Sequence, residues 1–140
     1  MSIKQLSIFL ENKSGRLTEV LETLGQEKIR IAALSIADTS EYGILRIIVS
    51  KPDDALQLLK ARNFSVNQTD VIGIETPVEA GSFADVLKSF SEESIGIEYM
   101  YAFLGRNSGH SPAVLRVEDT EKAIKLLEES NIKLLNESEL

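Results

Sequence analysis

The sequence predicts an α+β protein in which one βαββαβ unit occurs twice. Three observations support this prediction. Apolar residues alternate with polar ones in some segments and recur every three or four positions in others, as in half-buried strands and amphipathic helices. These segments follow one another in the order β-α-β-β-α-β. The pattern then returns at a shift of 66 residues, which is typical of an internal repeat.

The first copy opens with a strand and a helix. Leu6, Ile8 and Leu10 alternate with other residues, which predicts a half-buried strand. After a polar loop over residues 11–15, the apolar residues stand at helical spacing: Leu17, Val20, Leu21 and Leu24. Gly25 is expected near the end of this helix, because glycine often follows the last helical turn.

Three more strands and a second helix complete the first copy. Strands are expected around Ile29–Asp38 and over Ile44–Val49, with a turn between them. Lys51–Asp54 should open the second helix, since proline suits a first turn and acids suit the positive end of the helix dipole. Asn63 is expected to end that helix, and Phe64–Asn67 begins the fourth strand.

The second copy repeats the first with small changes of spacing. The aligned pairs are Gly15 with Gly81, Leu17 with Phe83, Leu24 with Phe90, Ala55 with Ala123, and Leu45–Ile47 with Leu115–Val117. The last pair requires a four-residue insertion in the loop at Gly105–Ser111. Thr69–Glu75, as the first strand of the second copy, follows the first copy without a linker. We therefore expect two repeats, residues 1–68 and 69–140, packed as one body.

Each repeat is expected to form a ferredoxin-like antiparallel sheet with both helices on one face. On the second strand of each copy the apolar phase slips, as at a β-bulge. This slip leaves Tyr99, Tyr101 and Phe103 pointing away from the helices, and it leaves small residues at the matching positions Ala33, Ser35 and Ala37. We interpret the aromatic stripe as a packing interface, and secondarily as a stacking platform for a ligand. A homodimer is expected, since interfaces are enriched in aromatic residues.

Composition and charge exclude several classes of protein. The net charge is −7; residues 1–70 hold nine basic and nine acidic side chains, and residues 71–140 hold six and thirteen. Without a basic cluster, nucleic acid is an unexpected partner. The sequence contains no cysteine, no apolar stretch long enough to cross a bilayer, and no basic and apolar leader at its start. A cytoplasmic protein that does not insert into a membrane is expected.

The sequence contains little that indicates an enzyme active site. His110 is the sole histidine, and it lies near Ser108 and Ser111 in the inserted loop. A serine and a histidine without an orienting third group do not indicate a nucleophilic site, so a surface loop is the favoured interpretation. One histidine cannot build a His/carboxylate metal cluster. We expect no catalytic residue, no metal site and no cofactor.

The strongest local signal is the loop from the first strand into the first helix. It reads Asn12-Lys13-Ser14-Gly15-Arg16-Leu17. A helix start presents unpaired backbone N–H groups and the positive end of the dipole, so this place suits a carboxylate. Gly15 would let a ligand approach the backbone, and Asn12 offers a donor and an acceptor. Alternatively, Asn12 or Ser14 caps the helix and Gly15 fits the turn.

The corresponding loop of the second copy is Val78-Glu79-Ala80-Gly81-Ser82-Phe83. The glycine is kept, and the asparagine is replaced by Val78. Glu79 or Glu98 could balance a ligand ammonium group, although each is also typical of a solvated surface acid. The candidate residues of this second site are Glu79, Gly81, Ser82 and Phe83.

The sequence resembles the ACT domain family over essentially its whole length, as two copies. The resemblance is carried by Asn-x-x-Gly-x-Leu at 12–17, Ile-x-Ile at 29–31 and the strand Leu45–Val49, which reads Leu-Arg-Ile-Ile-Val. ACT units are regulatory modules that pair and bind small ligands, usually amino acids. The resemblance implies that the ligand-facing residues are Asn12, Ser14, Gly15, Arg16 and Leu17. Val78 departs from the pattern and puts an equivalent second site in question.

The sequence therefore favours a sensor that binds a free amino acid and regulates a partner enzyme. A structural or adaptor subunit of the same fold without a ligand is the alternative. A small enzyme built on the Ser108/His110 loop is a weaker one.

Overall fold

The computed structural model describes residues 2–11, 15–38, 42–77, 79–102 and 110–140. The chain divides into two compact units. Lys4–Thr69 forms the first unit, and Asp70–Leu140 forms the second together with the residues before Lys4.

The first unit is built from four strands and two helices. They are, in chain order, β1 (Ile3–Glu11), α1 (Arg16–Gln26), β2 (Ile31–Asp38), β3 (Tyr42–Val49), α2 (Pro52–Ala61) and the first part of β4 (Ser65–Pro77). The strand order is β2-β3-β1-β4, and β3 pairs antiparallel with both β1 and β2.

The second unit repeats this architecture. After the remainder of β4 come α3 (Ser82–Glu92), β5 (Ile97–Ala102), β6 (His110–Val117), α4 (Thr120–Glu129), β7 (Lys133–Leu135) and a short 3-10 helix at Glu137–Glu139. The strand order is β7-β4-β6-β5, and all of these pairs are antiparallel. The predicted α+β class and the two ferredoxin-like βαββαβ repeats are confirmed.

Each unit has its own hydrophobic core between one face of its sheet and its two helices. The first core is formed by alternate strand residues together with Val20 and Leu24 of α1 and Ala55 and Leu59 of α2. The second is formed in the same way with Val86, Phe90, Ala123 and Leu127 from α3 and α4. Because only every second strand residue enters the core, both helices of a unit cover the same face, as predicted.

Strand β4 differs from the expectation of two separate strands. Phe64–Asn67 and Thr69–Glu75 were predicted to end one copy and begin the next, whereas Ser65–Pro77 is one strand of 13 residues. Val66 enters the first core, and Ile72 and Ile74 enter the second. No glycine or proline stands between them to break the strand, so the chain passes from one unit to the next in extended form.

Helix α1 ends where the sequence predicted, one residue after Gly25, although Gly25 is not the residue that turns the chain. Gly25 lies inside the helix, which ends at Gln26, and Lys28 adopts the left-handed conformation with φ 58°. The same left-handed conformation is found at Asn63, which ends α2 as predicted, at φ 65°. A lysine in that position is unusual, since asparagine and glycine tolerate positive φ better.

The register of the third strands corrects the alignment of the two copies. Leu6 is opposite Ile47 in the first unit, and Ile72 is opposite Leu115 in the second. Ile47 therefore corresponds to Leu115 at a shift of 68, so the insertion is two residues rather than four. Arg116 corresponds to Ile48 and not to Arg46. Side chains alternate with period two, so a slip of two residues leaves the apolar pattern unchanged.

The bulges on β2 and β5 are confirmed. The pairing of β2 with β3 shifts between Ile31 and Ala33, and that of β5 with β6 shifts between Ile97 and Tyr99. These shifts stand at equivalent places in the two units.

Among the described residues, no helix has the length and apolar character needed to span a membrane.

Candidate functional site

Helix α1 begins at a glycine, which provides no side chain to cap the first turn. Gly15 is the N-cap, with φ 89° and ψ −8°, and it has no side chain to accept a hydrogen bond from the first turn. The backbone N–H of Glu19 donates to the Gly15 carbonyl over 2.9 Å, which is the first hydrogen bond of the helix. A Cβ built on Gly15 would meet no atom of the described residues within 4 Å. Among the described residues, nothing covers the space beside the Gly15 Cα.

Helix α3 begins in nearly the same way. Gly81 is its N-cap, with φ 88° and ψ −7°, and a Cβ there would also have no neighbour within 4 Å in the described part of the chain. The N–H of Asp85 donates to the Gly81 carbonyl over 3.0 Å, and the N–H of Ser82 donates to the Glu79 carbonyl over 3.2 Å. In contrast, α4 is capped by Asp119, whose carboxylate accepts from the N–H of Lys122 over 3.1 Å. Both predicted loops thus lead into helix starts that suit an anion.

In the first unit, the structure describes three of the five predicted ligand residues. Asn12 and Ser14 lie outside the described residues. Gly15 is exposed, and Leu17 is partly buried against the first core. The Leu17 side chain therefore contributes to packing, which leaves only its backbone for the predicted ligand contact.

Arg16 is held by two neighbours that the sequence analysis did not single out. Its guanidinium carbon lies 4.3 Å from the centre of the Phe64 ring, and its Nη1 donates to Glu19 Oε2 over 2.9 Å. Glu19 could have been predicted as a partner of Arg16, because it follows Arg16 by three residues on the same helix. Phe64 could not, because it follows Arg16 by 48 residues and meets it only through the fold.

In the second unit, Glu79 is exposed, while Ser82 and Phe83 are half-buried. Phe83 packs against the second core, like Leu17 against the first. Glu98 accepts a hydrogen bond from Arg116 Nε over 3.0 Å, so its carboxylate has a partner within the unit.

The predicted aromatic stripe can be described at two of its three positions. Tyr99 is opposite Arg116 and Tyr101 is opposite Val114, on the face of β5 away from the helices. Both tyrosines are half-buried, and Phe103 lies outside the described residues. The matching small residues on β2 share that face in the first unit, and of these Ala33 is buried.

The large exposed hydrophobic residues were missed by the sequence analysis. Among the described residues they are Phe9, Ile31, Leu34, Ile36 and Tyr42, and all belong to the first unit. The Phe9 and Tyr42 rings lie 5.9 Å apart. Alternation alone predicted one inward face per strand, and it could not show which of these residues a helix would leave uncovered.

Two surface cavities occupy equivalent places in the two units, away from the glycine loops. The first, of about 410 Å³, is lined by Glu27, Ile29, Lys51, Asp54, Gln57 and Leu58. The second, of about 240 Å³, is lined by Glu93, Ile95, Lys122, Lys125, Leu126 and Glu129. Each lies between the end of the first helix of its unit and the start of the second.

His110 opens β6 opposite Pro77 and is exposed. Ser108 lies outside the described residues, and Ser111 is buried. Within the described part of the chain, no three His, Asp or Glu side chains come together in a way that could hold a metal ion.

Comparisons with known proteins agree with this architecture. The crystal structure of protein BT0572 from Bacteroides thetaiotaomicron is 50% identical, with a TM-score of 0.91, and the match covers 96% of this chain and 92% of that one. The regulatory subunit of aspartate kinase from Thermus thermophilus is 13% identical, with a TM-score of 0.64 and coverage of 90% and 91%. A search of curated proteins gave no match.

A third match is to a much longer chain. Aspartate kinase from Clostridium acetobutylicum is 14% identical, with a TM-score of 0.54, and the match covers 90% of this chain and 32% of that enzyme. At these low identities, the two aspartate kinase matches show a shared fold. The family model described as an ACT domain pair matches residues 1–140. The chain therefore belongs to the ACT domain family and consists of a tandem pair of ACT domains, a regulatory fold.

Proposed function

We propose that this ACT pair is a non-catalytic sensor that binds a free amino acid at the start of α1 and regulates a partner enzyme. The observation that carries the proposal is the start of that helix at Gly15, which provides no side chain to cap the first turn. The proposed ligand contacts are Asn12, Ser14, Gly15, Arg16 and Leu17.

The chemistry of recognition follows from the helix start. The N–H groups of residues 16–18 precede the first intrahelical hydrogen bond, which Glu19 makes. An α-carboxylate would accept from these groups and would be favoured by the helix dipole. Asn12 would bind the ligand through its amide group. Gly15 matters because a side chain there would fill the space above the backbone.

A second site around Gly81 is a weaker proposal. Its helix start has the same backbone geometry, with Glu79, Ser82 and Phe83 nearby in sequence. Val78 stands in place of Asn12, so the amide is missing, and Ser82 stands in place of Arg16. We expect the first unit to bind more tightly.

A ligand screen on the full chain tests the proposal. Each of the twenty amino acids is added in turn, and a ligand at 100 times its Kd should stabilise the protein by about 2.7 kcal/mol. Gly15→Val should abolish this stabilisation, while Gly81→Val, which strains the backbone in the same way, should leave most of it. Binding that survives Gly15→Val would place the ligand elsewhere. Equal losses from both variants would indicate two sites.

We also propose that the protein is cytoplasmic and forms a homodimer. The dimer interface would bury the aromatic stripe of Tyr99, Tyr101 and Phe103. Tyr101→Glu should then convert the dimer to a monomer, because a charge in a desolvated interface is costly. Light scattering measures this directly. A monomeric unmodified protein at micromolar concentration would refute the dimer and leave the ligand site untouched.

A ligand-free adaptor subunit is the second candidate function. It is favoured by the exposed hydrophobic residues of the first unit, which are typical of a surface that contacts another protein. The same screen separates the two candidates, since an adaptor would be stabilised by no amino acid.

A further inference from the structure

The Arg16 guanidinium lies at the start of α1 in a cluster of three side chains. It stacks on Phe64 at 4.3 Å, and it is paired with Glu19 over 2.9 Å. The Arg16 side chain is 25% exposed and that of Glu19 is 47% exposed. The cation is therefore mostly covered, while the carboxylate that neutralises it lies at the surface.

Phe64 fixes the position of the guanidinium independently of Glu19. Its ring is 4% exposed and belongs to the first core, and its backbone N–H donates to the Leu59 carbonyl over 3.0 Å. A ring held in this way provides a rigid surface for a planar guanidinium. Removing Glu19 would thus leave Arg16 in place with its charge unpaired.

Arg16 has donors beyond the one that Glu19 uses. A guanidinium carries five N–H groups, and only Nη1 is engaged by Glu19. Its buried Nε has no acceptor among the described residues. A carboxylate from a ligand would therefore compete with Glu19 for the part of the guanidinium that is not buried, because two carboxylates repel each other at one cation.

The second unit lacks this cluster entirely. The residues at the positions of Arg16, Glu19 and Phe64 are Ser82, Asp85 and Ile132. The equivalent helix start, with the same backbone angles, therefore has neither the cation nor its aromatic support.

We infer that Glu19 is a resident competing carboxylate: it occupies Arg16 in the unliganded protein, and the carboxylate of an incoming amino acid displaces it. The Arg16–Glu19 contact is thus autoinhibitory and sets the affinity of the first unit, with Phe64 as the positioning residue. This inference rests on the proposed function. It further assigns the binding of the ligand anion to Arg16 as well as to the helix backbone.

Calorimetric titration of the full chain tests this inference, with the twenty amino acids used singly on the unmodified protein and on Glu19→Gln. Glu19→Gln should tighten binding roughly two- to fivefold, the range expected for loss of an exposed ion pair. Arg16→Gln should weaken binding about tenfold or more, as for loss of a hydrogen bond to a charged group. Glu22→Gln removes the same charge one turn along α1 and should change affinity by less than about 1.5-fold, because exposed charges are screened.

The double variant Arg16→Gln/Glu19→Gln gives the decisive comparison. If Glu19 acts through Arg16, adding Glu19→Gln to Arg16→Gln should change nothing. An equal gain in that background, or an equal gain from Glu22→Gln, would overturn the inference, because the charge alone would then explain the effect. Circular dichroism and melting curves check that each variant is folded.

The remaining outcomes separate this inference from the proposed function. An unmodified protein that binds an amino acid with the same affinity as Glu19→Gln overturns the inference and leaves the proposed function standing. Binding seen only after Glu19→Gln supports the inference, since it shows the resident carboxylate blocking the site. No binding by either protein overturns both.

Discussion

The two units have the same elements but cover their edge strands differently. Strand β2 lies at the edge of the first unit and β5 at the edge of the second. Leu34 is opposite Ile47 and Met100 is opposite Leu115, so Leu34 and Met100 hold equivalent places on the helix side. Leu34 is 40% exposed, whereas Met100 packs against the second core.

The first helices of the two units also differ in side-chain size. Helix α3 carries Phe83 and Phe90 where α1 carries Leu17 and Leu24. Phe90 is fully buried, and both rings belong to the cluster that includes Met100. The comparison teaches that one backbone pattern can leave the helix side of its edge strand exposed in one unit and packed in the other, where the first helix carries larger side chains.

The largest expected effect comes from removing the fully buried Phe90 ring of the second unit. Phe90→Ala should lower the free energy of unfolding by about 3–5 kcal/mol, through lost burial and the cavity left behind. Phe9→Ala, the same change at a 40% exposed position of the first unit, should cost far less. Urea unfolding measures both. Similar losses in the two variants would contradict the burial of Phe90 and the exposure of Phe9.

The next largest effect concerns a glycine on β4 that only the second unit requires. A Cβ on Gly73 would lie 2.9 Å from Ile3 Cδ1 and 3.1 Å from the Leu135 carbonyl oxygen. Gly73→Ala should therefore cost about 1–3 kcal/mol by overpacking. The first unit has Ser7 at this position, and Ser7→Ala is the control. A melting temperature unchanged by Gly73→Ala would mean that β7 moves away freely.

The starts of α1 and α3 should lose the same amount of stability when their glycines are replaced. Gly15→Ala and Gly81→Ala each place a Cβ at φ near 90°, which should cost about 1–2 kcal/mol of unfolding free energy. Thermal unfolding should show equal losses, because the two backbones match. An unequal loss would reveal a structural demand at one loop that the backbone angles do not explain.

The smallest expected effect lies on the open edge of the first unit. Leu34→Ser should change the free energy of unfolding by less than about 0.5 kcal/mol, as for other exposed sites. Met100→Ser, its counterpart in the second unit, should cost about 1–3 kcal/mol, because it removes a packed side chain and buries a hydroxyl. Chemical denaturation of the two variants compares them. A large cost at Leu34 would show that something covers this surface in solution.

Several features of the fold could be predicted from the sequence because they depend on local pattern. The alternation of Leu6, Ile8 and Leu10 and the helical spacing from Leu17 to Leu24 each report a periodicity that the backbone imposes. The phase slip on β2 predicted a bulge, and the register shows one. The glycines that begin α1 and α3 were found in the same way, since few other residues suit a left-handed turn.

Other features of the site could not be predicted in this way. The contact of Arg16 with Phe64 joins residues that are distant in sequence, and only the fold brings the segment between α2 and β4 to the start of α1. The exposure of Leu34 and Ile36 depends on what packs against β2 in the fold, which no period describes.

The sequence by itself determined the repeat, the order of elements, the inward face of most strands and the two glycine helix starts, because each depends on residues within a few positions of one another. Tertiary structure alone decided the register of β3 and β6, the continuity of β4 and the difference between the two edge strands. A period of two residues is unchanged by a slip of two, so the pairing that makes Arg116 the counterpart of Ile48 rather than Arg46 depends on contacts between strands.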